Sequence, residues 1–94
     1  MNTPHEIAEK RMELSALFAN ATEQLKNILT FKPAVWSELR KGVKSDKAAD
    51  RMCEASEDGI KEMRLRLSMK SMEKEMSACR TMLEVLTIEA KNII

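Results

Sequence analysis

Apolar residues recur along the N-terminal third of the chain at the spacing of a helix face. Ile7, Leu14, Ala21 and Ile28 stand seven apart, Phe18 and Leu25 fill the intermediate positions, and Leu17 and Leu29 widen the stripe. Thr3-Pro4-His5-Glu6 precedes it as a helix start. Thr3 can accept from an orphan amide, Pro4 suits the first helical position, and Glu6 completes a capping box. Arg11 interrupts the stripe near the helix end, where its stem can cover apolar surface. Phe31-Lys32-Pro33 predicts the end, because a residue before proline is pushed out of the α region. Helix one is therefore expected from about Pro4 to about Thr30, roughly 40 Å long at 1.5 Å per residue.

The C-terminal pattern is stricter. Met69, Met72, Met76, Cys79, Leu83, Leu86, Ala90 and Ile93 alternate in steps of three and four, a heptad seam sustained over more than three repeats. Upstream, Ile60, Met63 and Leu67 run in a different phase, which predicts a change of neighbours near Ser68. Met82, Val85 and Ile88 lie off the seam, so the last turns are apolar around much of their circumference. A monomeric surface helix has no use for this, and a second subunit or several other elements must cover it. Met76, Met82, Leu83, Val85, Leu86, Ile88 and Ile93 are accordingly the candidate oligomer interface.

Between the two long segments the chain reads as a corner of one or two short helices. Pro33 opens the first, with Ala34, Val35, Trp36 and Leu39 on its apolar side and Gly42 after its end. Ser45 and Asp46 cap the second, which continues through Ala48, Ala49, Met52 and Cys53. Ser56-Glu57-Asp58-Gly59 fits either a fresh cap or an uninterrupted turn. If the last helix runs from about Glu57 to Asn92, it spans on the order of 50 Å. The expected fold is all-α: a single domain over 1–94 with two long antiparallel helices joined by the corner. A dimer closing a four-helix bundle would cover the stripes that two helices leave half exposed.

Composition agrees. Two Gly and two Pro are too few to punctuate a many-stranded sheet. At 44% hydrophobic and 33% charged residues, the chain is too apolar for a disordered tail and too charged for a membrane protein. No apolar run approaches the roughly 18 residues of a bilayer span. The N-terminus lacks the basic start and apolar run of a secretion signal, so a cytoplasmic protein with two reduced cysteines is expected.

Candidate chemistry is sparse. Cys53 and Cys79 have no nearby histidine, the lone His5 has no second histidine to share a metal, and no Glu-x-x-His occurs. Phosphate loops, nucleotide-binding glycine fingerprints, nucleophile elbows and Cys-x-x-Cys are absent. No catalytic, metal or cofactor residue is therefore expected, and the protein reads as a non-enzyme. Glu57, Asp58, Glu62, Glu73, Glu75, Glu84 and Glu89 interleave with bases as a solvated, salt-bridged face does. The methionines Met63, Met69, Met72, Met76 and Met82 suit either a core or an adaptable groove for a partner helix.

Charge is unevenly spread although the net is only +1. Residues 31–52 carry Lys32, Arg40, Lys41, Lys44, Lys47 and Arg51 against Glu38, Asp46 and Asp50. This basic corner is the candidate nucleic-acid contact, with Trp36 either stacking on a base or anchoring the corner. A sequence pI of about 7.8 argues against a dedicated nucleic-acid module.

The segment Lys32-Pro33-Ala34-Val35-Trp36-Ser37-Glu38-Leu39-Arg40, followed by Lys44-Ser45-Asp46-Lys47-Ala48-Ala49-Asp50-Arg51, resembles small helical proteins of tailed bacteriophages and prophages. The similarity extends through Met63-Arg64-Leu65-Arg66-Leu67 into the seam, over about the last two thirds of the chain. It rests on general pattern and carries no functional motif. The resemblance implies a phage accessory protein in the host bacterial cytoplasm, encoded among early or recombination genes. The expected function is a helical interaction or assembly module acting on a protein partner, a homo-oligomer with a dimer favoured. The alternatives are a recombination or replication accessory that binds nucleic acid through the basic corner, and an inhibitor of a host defence system.

Overall fold

The computed structural model describes residues 3–93, with side chains through Asn92. Three helices follow one another: α1 over Pro4–Lys41, α2 over Asp46–Ala55 and α3 over Glu57–Ile93. No strand occurs among the described residues. The chain is all-α, with two long helices and a short one at the turn.

Each start is capped as the sequence predicts. The Glu6 amide donates to Thr3 Oγ1 at 3.2 Å, with Pro4 at the first position of α1. The Ala48 amide donates to Ser45 Oγ at 3.1 Å and opens α2. Ser56 settles the ambiguous turn as a break. It leaves the helical conformation, its amide donates to the Cys53 carbonyl, and its Oγ accepts from the Gly59 amide at 3.1 Å.

α1 and α3 lie antiparallel, in a register read from three contacts. Ile7 and Leu14 pack with Cys79. Ser15 Oγ donates to Met76 Sδ at 3.6 Å, and Lys32 Nζ meets Glu62 Oε1 at 2.9 Å. Met72, Met76, Leu83 and Leu86 close around the Ile7–Leu14–Cys79 cluster. Nearer the turn, Ala21 and Leu25 of α1 are buried, and Ala49 and Cys53 seat α2 against both long helices.

Two expectations are corrected. The helix break at Phe31-Lys32-Pro33 does not happen: α1 runs unbroken to Lys41 with Pro33 inside it. A mid-helix proline costs about 3 kcal/mol, because its missing N–H strands the carbonyl four residues back and its ring crowds that carbonyl. Here the helix is anchored on both sides of the proline. Lys32 is tied to Glu62 on α3, while beyond it Trp36 Nε1 donates to Asp50 Oδ1 at 2.7 Å and Arg40 Nε to Asp46 Oδ1 at 2.7 Å. Pro33 itself is exposed, so water can reach the stranded Leu29 carbonyl. The corner is thus one short helix, α2. Pro33→Ala should raise stability by about 2 kcal/mol, the propensity gain less the entropy returned to the unfolded chain. An unchanged m-value with a higher urea midpoint is the expected result. A lower midpoint would mean that the corner needs the proline's bend.

The second correction concerns α3. Its seam keeps one phase through Leu65 and Glu62, both half-buried, while upstream of Ser68 α2 joins as a further neighbour and Met63 and Leu67 line a cleft with Cys53 and Glu54. Ile60, Met63 and Leu67 are exposed instead. They belong to a second strip.

The molecule is a rod of 70 × 19 × 18 Å with a Cα radius of gyration of 20.2 Å. A compact domain of this length would have about 12 Å. Its accessible surface is 7379 Å², against about 5,500 Å² for a compact monomer of this mass. Roughly a third more surface is left in water than a chain of this size usually leaves.

Candidate protein-interaction surface

A helix that rides on a single neighbour buries one stripe and offers its opposite side to solvent. On α3 the buried stripe contains Met69, Met72, Met76, Cys79, Leu83 and Leu86. Of the residues expected at an oligomer interface, Met76, Leu83 and Leu86 are thus already half-buried against α1. Met82, Val85 and Ile88 point away, at 36%, 48% and 58% exposure. Ile93 has a side chain outside the described residues.

Ile60, Met63 and Leu67 are exposed like Met82, Val85 and Ile88 and fall on the same side of α3 by helical spacing, with Met63 and Leu67 also lining a cleft beside Cys53 and Glu54 of α2. Between the two apolar groups lie Ser71, Lys74, Ala78 and Thr81, all exposed. Together they make a strip along the back of α3, roughly 42 Å from Ile60 to Ile88 at 1.5 Å per residue. The changed phase of Ile60, Met63 and Leu67 is the sequence signal of the upstream half. α1 carries Met12, Leu17, Leu29, Phe31 and Val35 over its exposed surface.

The methionines divide between the two readings. Met69, Met72 and Met76 are half-buried on the seam, whereas Met63 and Met82 are outward.

Half of the basic corner is committed to internal partners. Lys32 pairs with Glu62, Lys41 Nζ with Glu38 Oε1 at 3.1 Å, and Arg40 with Asp46. Arg40 Nη1 also donates to the Val43 carbonyl at 2.8 Å, closing the α1–α2 turn. Lys44, Lys47 and Arg51 are exposed, and no ion pair joins them to a carboxylate among the described residues. Trp36 is half-buried and its indole N–H donates to Asp50, which ties α1 to α2.

Lys32 and Glu62 meet where each seam carries a charge in place of an apolar residue. Glu62 is the more sheltered, at 13% side-chain exposure, and also accepts from Arg66 Nε at 3.1 Å. The hydrogen bond from Lys32 holds its carboxyl below the ordinary glutamate range; burial pushes the other way, and Arg66 adds to the lowering. A carboxyl depressed on folding stabilises the fold above its unfolded value, about pH 4.3, and that stability is lost as pH falls through the lower folded value. Acid titration of Glu62→Gln should lose this component. An acid profile identical to that of the native chain would contradict it.

His5 Nε2 lies 3.0 Å from Glu9 Oε1 on the exposed first turns of α1. Among the described residues no three His, Cys, Asp or Glu side chains converge as a metal site. No helix of the described residues is long and apolar enough to cross a membrane. No protein-family model, curated protein or solved structure gives a significant match to this chain. The back of α3 therefore has to be read from its own chemistry: two aliphatic and thioether groups, separated by Ser71, Lys74, Ala78 and Thr81 and edged by charge.

Proposed function

We propose that the protein is a non-enzymatic helical interaction module that works by laying the back of α3 against another helix. The observation that carries this reading is the outward strip Ile60, Met63, Leu67, Met82, Val85 and Ile88 on a helix whose other side is already occupied by α1. Water-exposed apolar residues at repeating helical spacing gain about 25 cal/mol for each Å² a partner covers. The thioethers of Met63 and Met82 let such a face adjust to its partner. Resemblance to small phage proteins supports an accessory role of this kind. Equilibrium sedimentation from micromolar to millimolar concentration should give a mass rising above the 10.7 kDa of one chain. A constant 10.7 kDa over that range would overturn self-association through this face.

A second reading rests on Lys44, Lys47 and Arg51, the exposed cations near the start of α2 that hold no carboxylate. Three phosphate contacts support weak, strongly salt-dependent nucleic-acid binding at this tip. A mobility shift at low salt that disappears on converting the three to Glu would support it. No shift with DNA or RNA of either strandedness would remove it.

A further inference from the structure

We propose that the partner laid against α3 is a second copy of this chain, docked antiparallel on a two-fold axis near Lys74. The inference rests on the reading of the α3 back as an interface and adds the partner and its register.

The strip is nearly palindromic. Ile60 and Ile88 stand fourteen residues either side of Lys74, Met63 and Val85 eleven, and Leu67 and Met82 seven and eight. Ser71 and Ala78, three and four residues out, are small, which leaves room at the centre for the long side chain of Lys74. An isologous contact requires this kind of self-complementarity, since each residue meets the partner of its mirror position. An antiparallel pair sets Ile60 on Ile88, Met63 on Val85 and Leu67 on Met82, twice each.

Edge charges favour the same direction. Arg66 and Glu84 are eighteen residues apart, about five full turns, so they lie on one edge of the strip. Reversing a second helix about Lys74 brings each Arg66 near the Glu84 of the other copy. Both keep more than half of their side chains exposed while pairing with Glu62 and Arg80, so both have donors or acceptors to spare. Opposed helix dipoles add to the preference for antiparallel over parallel. Lys74 meets its own copy on the axis, where its long stem can splay toward water.

Area permits the contact. The protomer leaves roughly 1,900 Å² more in water than a compact monomer of its mass, and a stable interface covers about 800 Å² on each partner. Because the strip faces away from α1, the result is a row of four helices with the two α3 helices at its centre. The square four-helix bundle expected from the sequence would need the apolar strips beside the α1–α3 groove.

Spin labels at Glu75→Cys and Glu89→Cys, each measured alone by dipolar EPR in the full chain, read the register. Both sites edge the strip, and the native Cys53 and Cys79 are buried from the label. The expected result is a short distance at 75 and one of about 45 Å at 89, thirty residues along the helix between copies. Short distances at both positions would overturn the antiparallel register while leaving the α3 back as the interface. No dipolar coupling, whether from a monomer or from a heavier particle joined elsewhere, would overturn self-association through the α3 back and the register with it.

Discussion

Gly59→Ala should destabilise the protein by about 3 kcal/mol or more, although alanine is the better helix former. On propensity alone the substitution would gain about 1 kcal/mol inside a helix. The opposite sign is expected because of what surrounds the Cα. A Cβ built on Gly59 would overlap the backbone carbonyl oxygens of Cys53 and Glu54, at the last turn of α2. Neither can move alone. The Cys53 carbonyl accepts from both the amide and the hydroxyl of Ser56, and the Ser56 hydroxyl oxygen in turn accepts from the Gly59 amide. Admitting the methyl therefore means opening a cap shared by two helices, and cramming atoms against fixed backbone costs from 1 to more than 3 kcal/mol. That is a large part of the 5–15 kcal/mol by which a domain is usually stable. The readout is the urea midpoint by far-UV circular dichroism. A midpoint equal to or above the native one would show that α2 is free to slide away from the start of α3.

Val85→Glu combined with Ile88→Glu should weaken self-association about a thousandfold or more without unfolding the protomer. Within one chain the two residues are about half exposed or more, so their loss removes little of the internal core. Glutamate is also a better helix former than valine or isoleucine. At a two-fold interface each substitution acts twice. Losing the burial of a Val or Ile side chain costs about 1.5–3 kcal/mol, and the replacement carboxylates must also be desolvated. A change of about 4 kcal/mol corresponds to a thousandfold in Kd. Sedimentation at a fixed concentration, with circular dichroism on the same sample, separates the outcomes. A smaller particle with unchanged helicity is expected. An unchanged particle would place the interface elsewhere, and lost helicity would show that these side chains support the protomer itself.

Much of the fold was legible because its signals are local or strictly periodic. Thr3 and Ser45 announce their helices within three residues, and the steps of three and four from Met69 to Leu86 define the inward side of α3. What was not legible depends on residues distant in the chain. Pro33 reads as a stop until Glu62, thirty positions away from Lys32, and Asp50, fourteen from Trp36, are seen to anchor α1 on either side of it. The same holds for the candidate surface. Val85 and Ile88 stood out against a clear seam, whereas Ile60, Met63 and Leu67 looked like a seam of their own. Only Leu65 and Glu62, turned toward α1, show that the earlier stripe faces outward. Six bases in one stretch suggested a phosphate-binding corner, and the pairing of Lys32, Arg40 and Lys41 with acids reduces the unpaired set to three.

Oxidative footprinting of the methionines across a dilution series tests the role of the α3 back most directly. Met12, Met63 and Met82 are all exposed in the protomer, Met12 on α1 and the other two on the strip. With rising concentration, Met63 and Met82 should become protected together while Met12 stays reactive. Reactivities of Met63 and Met82 that do not change with concentration would contradict a role for the α3 back in self-association.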